Sequence, residues 1–205
     1  MPLARSDQTM EIRPITLQGT RVRLEPLALE RHFEGLVEIG LEPELWRWTI
    51  NECKTREDLS TYLREALDMQ SEGDALPFAT IDQATGRVAG CTRFGNIVPR
   101  HRRAEIGWTW VGKPYQRSHV NTEAKYLMLR HAFETWGCQR VELKTNALNK
   151  KSRAAILRIG AKEEGILRKH AINDSGTVRD TVYFSIIDDE WPAVKARLEE
   201  MMKEG

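Results

Sequence analysis

The side chains best placed to do chemistry stand in two polar segments, each where a strand hands over to a helix. The first runs from Glu105-Ile106-Gly107-Trp108 through Trp110 and Val111 to Gln116-Arg117-Ser118-His119-Val120-Asn121-Thr122, and then into a long apolar-faced helix. Free backbone N–H groups and the positive end of a helix dipole converge at such a junction, an arrangement that binds phosphate. An ordinary connection, with Asn121 or Thr122 as N-cap and Glu123 favouring the dipole, accounts for the same residues, and the loop has no glycine at its centre. The second segment, Asn149-Lys150-Lys151-Ser152-Arg153, sets three cations beside two neutral hydrogen-bonding side chains at another helix start. It suits a phosphate and a polar chain, although a capped helix with solvated lysines explains it as well. Two candidate anion sites in succession argue more strongly than either alone.

Other reactive residues narrow the possibilities. The three cysteines, Cys53, Cys91 and Cys138, are odd in number, far apart and without CxxC spacing, so neither a disulfide framework nor a zinc site is expected. His32, His101, His119 and His131 show no metal-ligand spacing. His170 falls on a late strand, and histidine is the residue type suited to exchanging protons near neutrality. Glu42, Glu44 and Glu52 surround an aromatic segment, Trp46 to Thr49, and form an acidic edge able to attract a cationic substrate, solvated surface charge being the ordinary alternative.

The elements that must hold these residues follow from hydrophobic spacing. Arg21 to Glu25 alternates with period two and ends at Pro26, as a half-buried strand does. Leu29 to Ile39 and Arg56 to Ser71 have helical spacing, followed by three short strands at Phe78 to Ile81, Val88 to Phe94 and Ala104 to Val111. A helix over Thr122 to Trp136 stops at Gly137; a strand at Val141 to Thr145 and a short helix at Ser152 to Ile159 come next. Two strands then flank Asn173-Asp174-Ser175-Gly176, and a helix carrying Trp191, Val194, Leu198 and Met201 closes the chain. The expected fold class is α/β (mixed): a mixed central sheet in the order β-α-α-β-β-β-α-β-α-β-β plus a C-terminal helix.

The 205 residues suit one domain, read as residues 20–205 behind an N-terminal arm, 1–19, that lacks sustained periodicity. With 31 Lys+Arg against 30 Asp+Glu, the formal charge of +1 gives no net drive towards nucleic acid or an anionic membrane. No apolar run approaches the roughly 18 to 20 residues that cross a bilayer, and the start lacks the apolar stretch of a secretory signal. The expected location is cytoplasmic, with neither nucleic acid nor membrane as partner; a homodimer is compatible.

Taken in order, these segments resemble the Gcn5-related N-acetyltransferases, in the branch similar to the ribosomal-protein N-terminal acetyltransferases. The resemblance covers roughly Thr20 to Ser185. It rests on Thr20-Arg21-Val22-Arg23-Leu24, Glu105-Ile106-Gly107-Trp108, Gln116 to Ala124, Asn149-Lys150-Lys151-Ser152 and Gly160-Ala161-Lys162-Glu163-Glu164-Gly165-Ile166-Leu167-Arg168. It departs in the loop, where the two glycine positions of Gln/Arg-x-x-Gly-x-Gly/Ala carry His119 and Asn121. Glycine permits close backbone approach to a phosphate, so the departure bears on cofactor affinity.

The resemblance implies transfer of an acetyl group from acetyl-CoA to a primary amine, without a metal. Splayed fourth and fifth strands would hold the pantetheine arm against backbone groups near Trp110 and Val111. The pyrophosphate would lie after Gln116, on the N–H groups of Arg117, Ser118, His119, Val120, Asn121 and Thr122, with Asn149, Ser152 and Arg153 on the far side of the cofactor. Ser152 is the candidate proton donor to the departing thiolate, and Glu105 and His170 are candidate bases. The acceptor expected is a protein or peptide N-terminus, whose ordinary pKa of about 7.7 to 8.0 demands less help than the roughly 10.4 of lysine. A small-molecule amine, such as an antibiotic or aminoacyl compound, and a catalytically weak acyl-CoA-binding module are the alternatives.

Overall fold

The structure is a computed structural model that describes residues 10–204. Its centre is an eight-stranded sheet in the order β1-β2-β3-β4-β5-β6-β8-β7. The strands are β1 (Leu17–Gln18), β2 (Val22–Pro26), β3 (Leu76–Asp82), β4 (Arg87–Val98), β5 (Arg103–Val111), β6 (Arg140–Asn146), β7 (Lys162–Ile172) and β8 (Val178–Ile187). Every neighbouring pair is antiparallel except β5 and β6, which run parallel. That pair is joined through α4 (His119–Arg130), as a parallel connection requires. The expected mixed α/β fold is therefore present, with a two-residue strand ahead of the first one expected.

Alternation along the strands builds two cores. On one face Phe78, Phe94, Ile106, Val141 and Phe184 pack with Leu127 and Met128 of α4 and with Trp191 and Leu198 of α6 (Trp191–Glu204). On the other, Ala79, Ile81, Cys91 and Trp110 meet Leu36 of α1 (Leu29–Gly40) and Leu59, Tyr62 and Leu63 of α3 (Arg56–Ser71). Phe78 and Ala79 thus serve opposite cores, as period two dictates, and all of β3 is buried. Met10, Ile12 and Ile15 pack against the first core, and Trp136 Nε1 donates to Glu11 O at 3.0 Å. The stretch expected as a loose arm is seated from residue 10 onward; residues 1–9 lie outside the described residues.

Local differences from the sequence reading have identifiable causes. α4 begins at His119, with Ser118 rather than Asn121 or Thr122 as N-cap: Ser118 Oγ accepts from Val120 N at 3.3 Å. Arg117, in the left-handed region at φ 60, turns the loop that early. Glu123 does not simply face the dipole; it is buried and accepts from the backbone N–H groups of Thr20 and Arg21. The expected helix through Trp136 is α-helical to Arg130, then makes a π turn over His131–Thr135 in which Trp136 N donates to His131 O at 3.0 Å. α5 spans Lys150–Arg158, two residues earlier at its start than expected, because Asn149 is its cap. Trp46 closes a short helix, α2 (Pro43–Trp46), instead of opening a loop.

Two irregularities position the site. β5 and β6 pair only at Arg103↔Arg140, Ala104↔Val141 and Glu105↔Glu142, and then diverge. β4 and β5 shift register between Cys91 and Arg93, opposite a bulge in which Trp108 adopts φ 48. Edge strand β7 is exposed along most of its length and shifts register against β8 at Glu163/Gly165 and Leu167/Ala171, with Lys169 at φ 51.

Candidate active site

The divergence of β5 from β6 opens a cleft of about 770 Å³. β5 forms one wall from Glu105 to Val111; Gln116, Arg117, Asn121 and Lys125 follow from the loop and α4, and Asn149 and Ser152 from α5. Arg179 and Thr181 of β8, His170 of β7 and the loop Trp48 to Asn51 line the opposite end. The expected residues that meet here are thus Glu105, Trp110, Val111, Gln116, Arg117, Asn121, Asn149, Ser152 and His170.

The side chains of the remaining expected residues turn elsewhere, so a cofactor role for them would run through backbone. Ser118 Oγ donates to Tyr115 O at 2.6 Å besides capping α4. His119 Nε2 lies 3.3 Å from Asp82 Oδ1, and Val120 is buried in the core. Thr122 Oγ1 accepts from Arg158 Nη2 at 2.9 Å, and Arg153 pairs with Glu163 at 3.0 Å. What this part of the cleft offers an anion is the first turn of α4, whose leading N–H groups have no helical acceptor. Residues 119 and 121 are helical and the left-handed residue is Arg117, so no backbone angle demands glycine at either position.

At α5, Asn149 Oδ1 accepts from Ser152 N at 3.0 Å, so Asn149 does the capping and Ser152 sits in the first turn. The Ser152 hydroxyl has no hydrogen-bond partner among the described residues and borders the cleft.

Glu105 is buried, not a free strand-edge carboxylate. Its Oε2 accepts from Asn96 Nδ2 at 2.6 Å and lies 2.7 Å from Lys144 Nζ. Burial opposes the charge on Lys144, but Glu105 and Tyr183 more than offset it and hold the amine above the usual lysine range. His170 is exposed at the rim, its Nδ1 3.1 Å from Thr181 Oγ1 and its Nε2 3.3 Å from Tyr183 OH. Arg179, 8% exposed, donates from Nε to Thr181 Oγ1 at 3.1 Å and from Nη1 to Trp48 O at 3.4 Å, and burial lowers its pKa. The same end is tied by Asp174 N to Ile50 O at 2.9 Å and by Glu52 N to Asp174 Oδ2 at 3.0 Å.

Four members of this constellation escaped the sequence reading: Asn96, Lys125, Lys144 and Arg179. Lys125 had a local signal, lying four residues after Asn121 and hence on the same helical face. No group of His, Cys, Asp and Glu able to hold a metal ion occurs among the described residues, and none of their helices is long and apolar enough to cross a membrane.

Comparison with known proteins agrees with this geometry. The sequence profile described as Acetyltransferase (GNAT) domain matches residues 21–162. A solved GCN5-related N-acetyltransferase from Brucella melitensis is 32% identical, with a TM-score of 0.85 over 93% of this chain and 86% of its own. Mycobacterium smegmatis RimJ in complex with CoA-disulfide, 24% identical, shares the fold with a TM-score of 0.80 over 93% of this chain and 96% of its own. The Bacillus subtilis (strain 168) protein named "Putative ribosomal N-acetyltransferase YdaF" is 34% identical over 110 residues, 54% of this chain. The match spans 59% of that relative's length.

Proposed function

The chain belongs to the GNAT acetyltransferase family, and from that premise we propose that it transfers an acetyl group from acetyl-CoA to the α-amino group of a protein or peptide. The cleft fits such a cofactor in two respects: the β5 backbone is released from β6 beyond Glu105, and the first turn of α4 opens at one end. Arg117, Asn121 and the N–H groups of the first turn of α4 would hold its phosphates, and Asn149 would border the arm from the α5 side. Acetyl-CoA, when bound, supplies an acyl group activated as a thioester.

The observation that carries the choice of acceptor is the engagement of Glu105. The Glu105 carboxylate is buried and already engaged by Lys144 and Asn96, so it is not free to turn towards an incoming amine. The other candidate base, His170, stands exposed at the rim. A site so equipped suits the amine with the larger neutral fraction near pH 7, which favours an N-terminus over a lysine side chain. Ser152 Oγ donates its proton to the departing sulfur, His170 or water accepts the one lost by the amine, and that proton returns through water to Ser152 Oγ. Glu44, ion-paired with Arg47 at 3.6 Å, borders the acceptor end beside Trp48 and Asn51. The name of the YdaF relative points the same way, towards a ribosomal protein met in the cytoplasm.

The test is incubation of the purified protein with acetyl-CoA and a peptide panel, in which each peptide carries a free or blocked N-terminus and an internal lysine. Thiol release with acetylation located at the α-amine by mass spectrometry is expected. Acetylation of blocked peptides at lysine would refute the acceptor class. Absence of any melting-temperature shift with saturating CoA would refute the cofactor.

A further inference from the structure

Lys125 is a buried amine whose donors the described residues satisfy only in part. It borders the cleft, is 6% exposed, and its Nζ donates to Thr109 Oγ1 at 2.6 Å. That hydroxyl is itself shared with Thr92 Oγ1 at 2.7 Å, and it donates towards Gly107 O at 3.3 Å. Among the described residues no carboxylate forms an ion pair with Lys125; its electrostatic neighbour is the thiol of Cys91, which burial pushes up to about 12 and so keeps neutral. An ammonium has three N–H donors and a neutral amine two, so at least one donor is unspent in either state. An unspent donor at a largely dehydrated position is costly unless something else accepts from it.

The position says what that acceptor is. Asn121 and Lys125 lie one turn apart on the face of α4 that borders the cleft, and at 1.5 Å per residue Lys125 is about 9 Å beyond His119 along the helix. It is thus past the anion-binding first turn and level with β5 at Thr109, beyond the last β5–β6 pair at Glu105. We infer that Lys125 is a cofactor-binding residue whose Nζ donates its unspent hydrogen bond to an oxygen of the pantetheine arm of acetyl-CoA. The inference rests on acetyl-CoA being the cofactor. Burial also pulls the Lys125 pKa down to about 7, consistent with a donor that lacks an anionic partner in the protein itself.

The test compares two probes by titration calorimetry: CoA, and adenosine 3′-phosphate 5′-diphosphate, which is CoA without its pantetheine arm. In Lys125→Met the Kd for CoA should rise about tenfold, while the Kd for the nucleotide stays unchanged. Lys125→Gln, which keeps a donor, should recover part of the CoA affinity. Equal weakening of both probes, or unaltered CoA affinity in Lys125→Met, overturns the role of Lys125 and leaves the cofactor standing. Failure of the wild type to bind either probe overturns both. Independently of any substitution, the Nζ resonance of Lys125 in isotopically labelled wild-type protein should shift on adding CoA and not on adding the nucleotide; a resonance unmoved by CoA overturns the inference.

Discussion

Asn149 Oδ1 accepts from the backbone N–H of Ser152 at 3.0 Å, so Asn149 caps α5 and the Ser152 hydroxyl is left for the proposed proton donation. Ser152→Ala should therefore lower kcat by about 10²-fold, the low end for proton transfer by a positioned group, with a melting temperature close to wild type. Asn149→Ala should show the converse signature in stability, losing about 0.5 to 2 kcal/mol as other N-caps do. Thermal denaturation and steady-state kinetics on the same preparations check both. An unchanged kcat in Ser152→Ala removes that residue from the chemistry.

Glu105 is buried and its partner Lys144 half-buried, so substitution of one confounds chemistry with stability. Glu105→Gln should destabilise by on the order of 3 kcal/mol, because the Lys144 ammonium is left without its carboxylate. Adding Lys144→Met should restore most of the melting temperature. If Glu105 only organises the cleft, activity returns with stability in the double variant; if its charge acts on the acceptor, activity stays low.

His119 stands at a glycine position of the family's loop, yet its ring is turned to Asp82. His119→Glu should put two carboxylates together and add a negative charge beside the first turn of α4, lowering both melting temperature and CoA affinity. Asp82→Asn in that background should recover stability but not affinity. Affinity equal to wild type in His119→Glu would place the phosphates elsewhere.

The pKa of Lys125 makes stability depend on pH with a definite sign. The unfolded chain holds the proton up to the ordinary value of 10.5, the folded chain up to about 7. Between those values the unfolded state binds more protons, so this group makes stability rise with pH, by at most about 1.4 kcal/mol per unit. Below about pH 7 the full penalty applies. Relative to wild type, Lys125→Met should be most favoured near pH 6, with its advantage shrinking towards about pH 9. Chemical denaturation at both pH values measures this, and a constant difference would contradict it.

What the sequence made legible was periodicity. The helix that became α4, the meander of β3 to β5 and the start of α5 after Asn149 follow from spacing to within a few residues. What escaped depends on register and on contacts between distant segments. Lys144 meets Glu105 because Glu105 pairs with Glu142, and Lys144 lies two residues further on the same face. Trp108 takes a left-handed angle that no propensity assigns to tryptophan; the bulge opposite Cys91 and Arg93 imposes it. The choice of Ser118 over Asn121 as cap was settled by Arg117, another non-glycine residue in the left-handed region.

The irregular course of β7 bears on how copies of this chain meet in a crowded solution. It ends the sheet, and it carries exposed Ile166, Leu167 and Ile172 beside exposed Val178 of β8. A straight apolar edge of that composition would template the addition of a foreign strand and seed aggregation. Two register shifts, the left-handed Lys169 and the cationic pair Arg168-Lys169 break the row of backbone donors and acceptors that such growth needs. The backbone shape of the edge thus opposes strand addition, while the apolar side chains remain exposed.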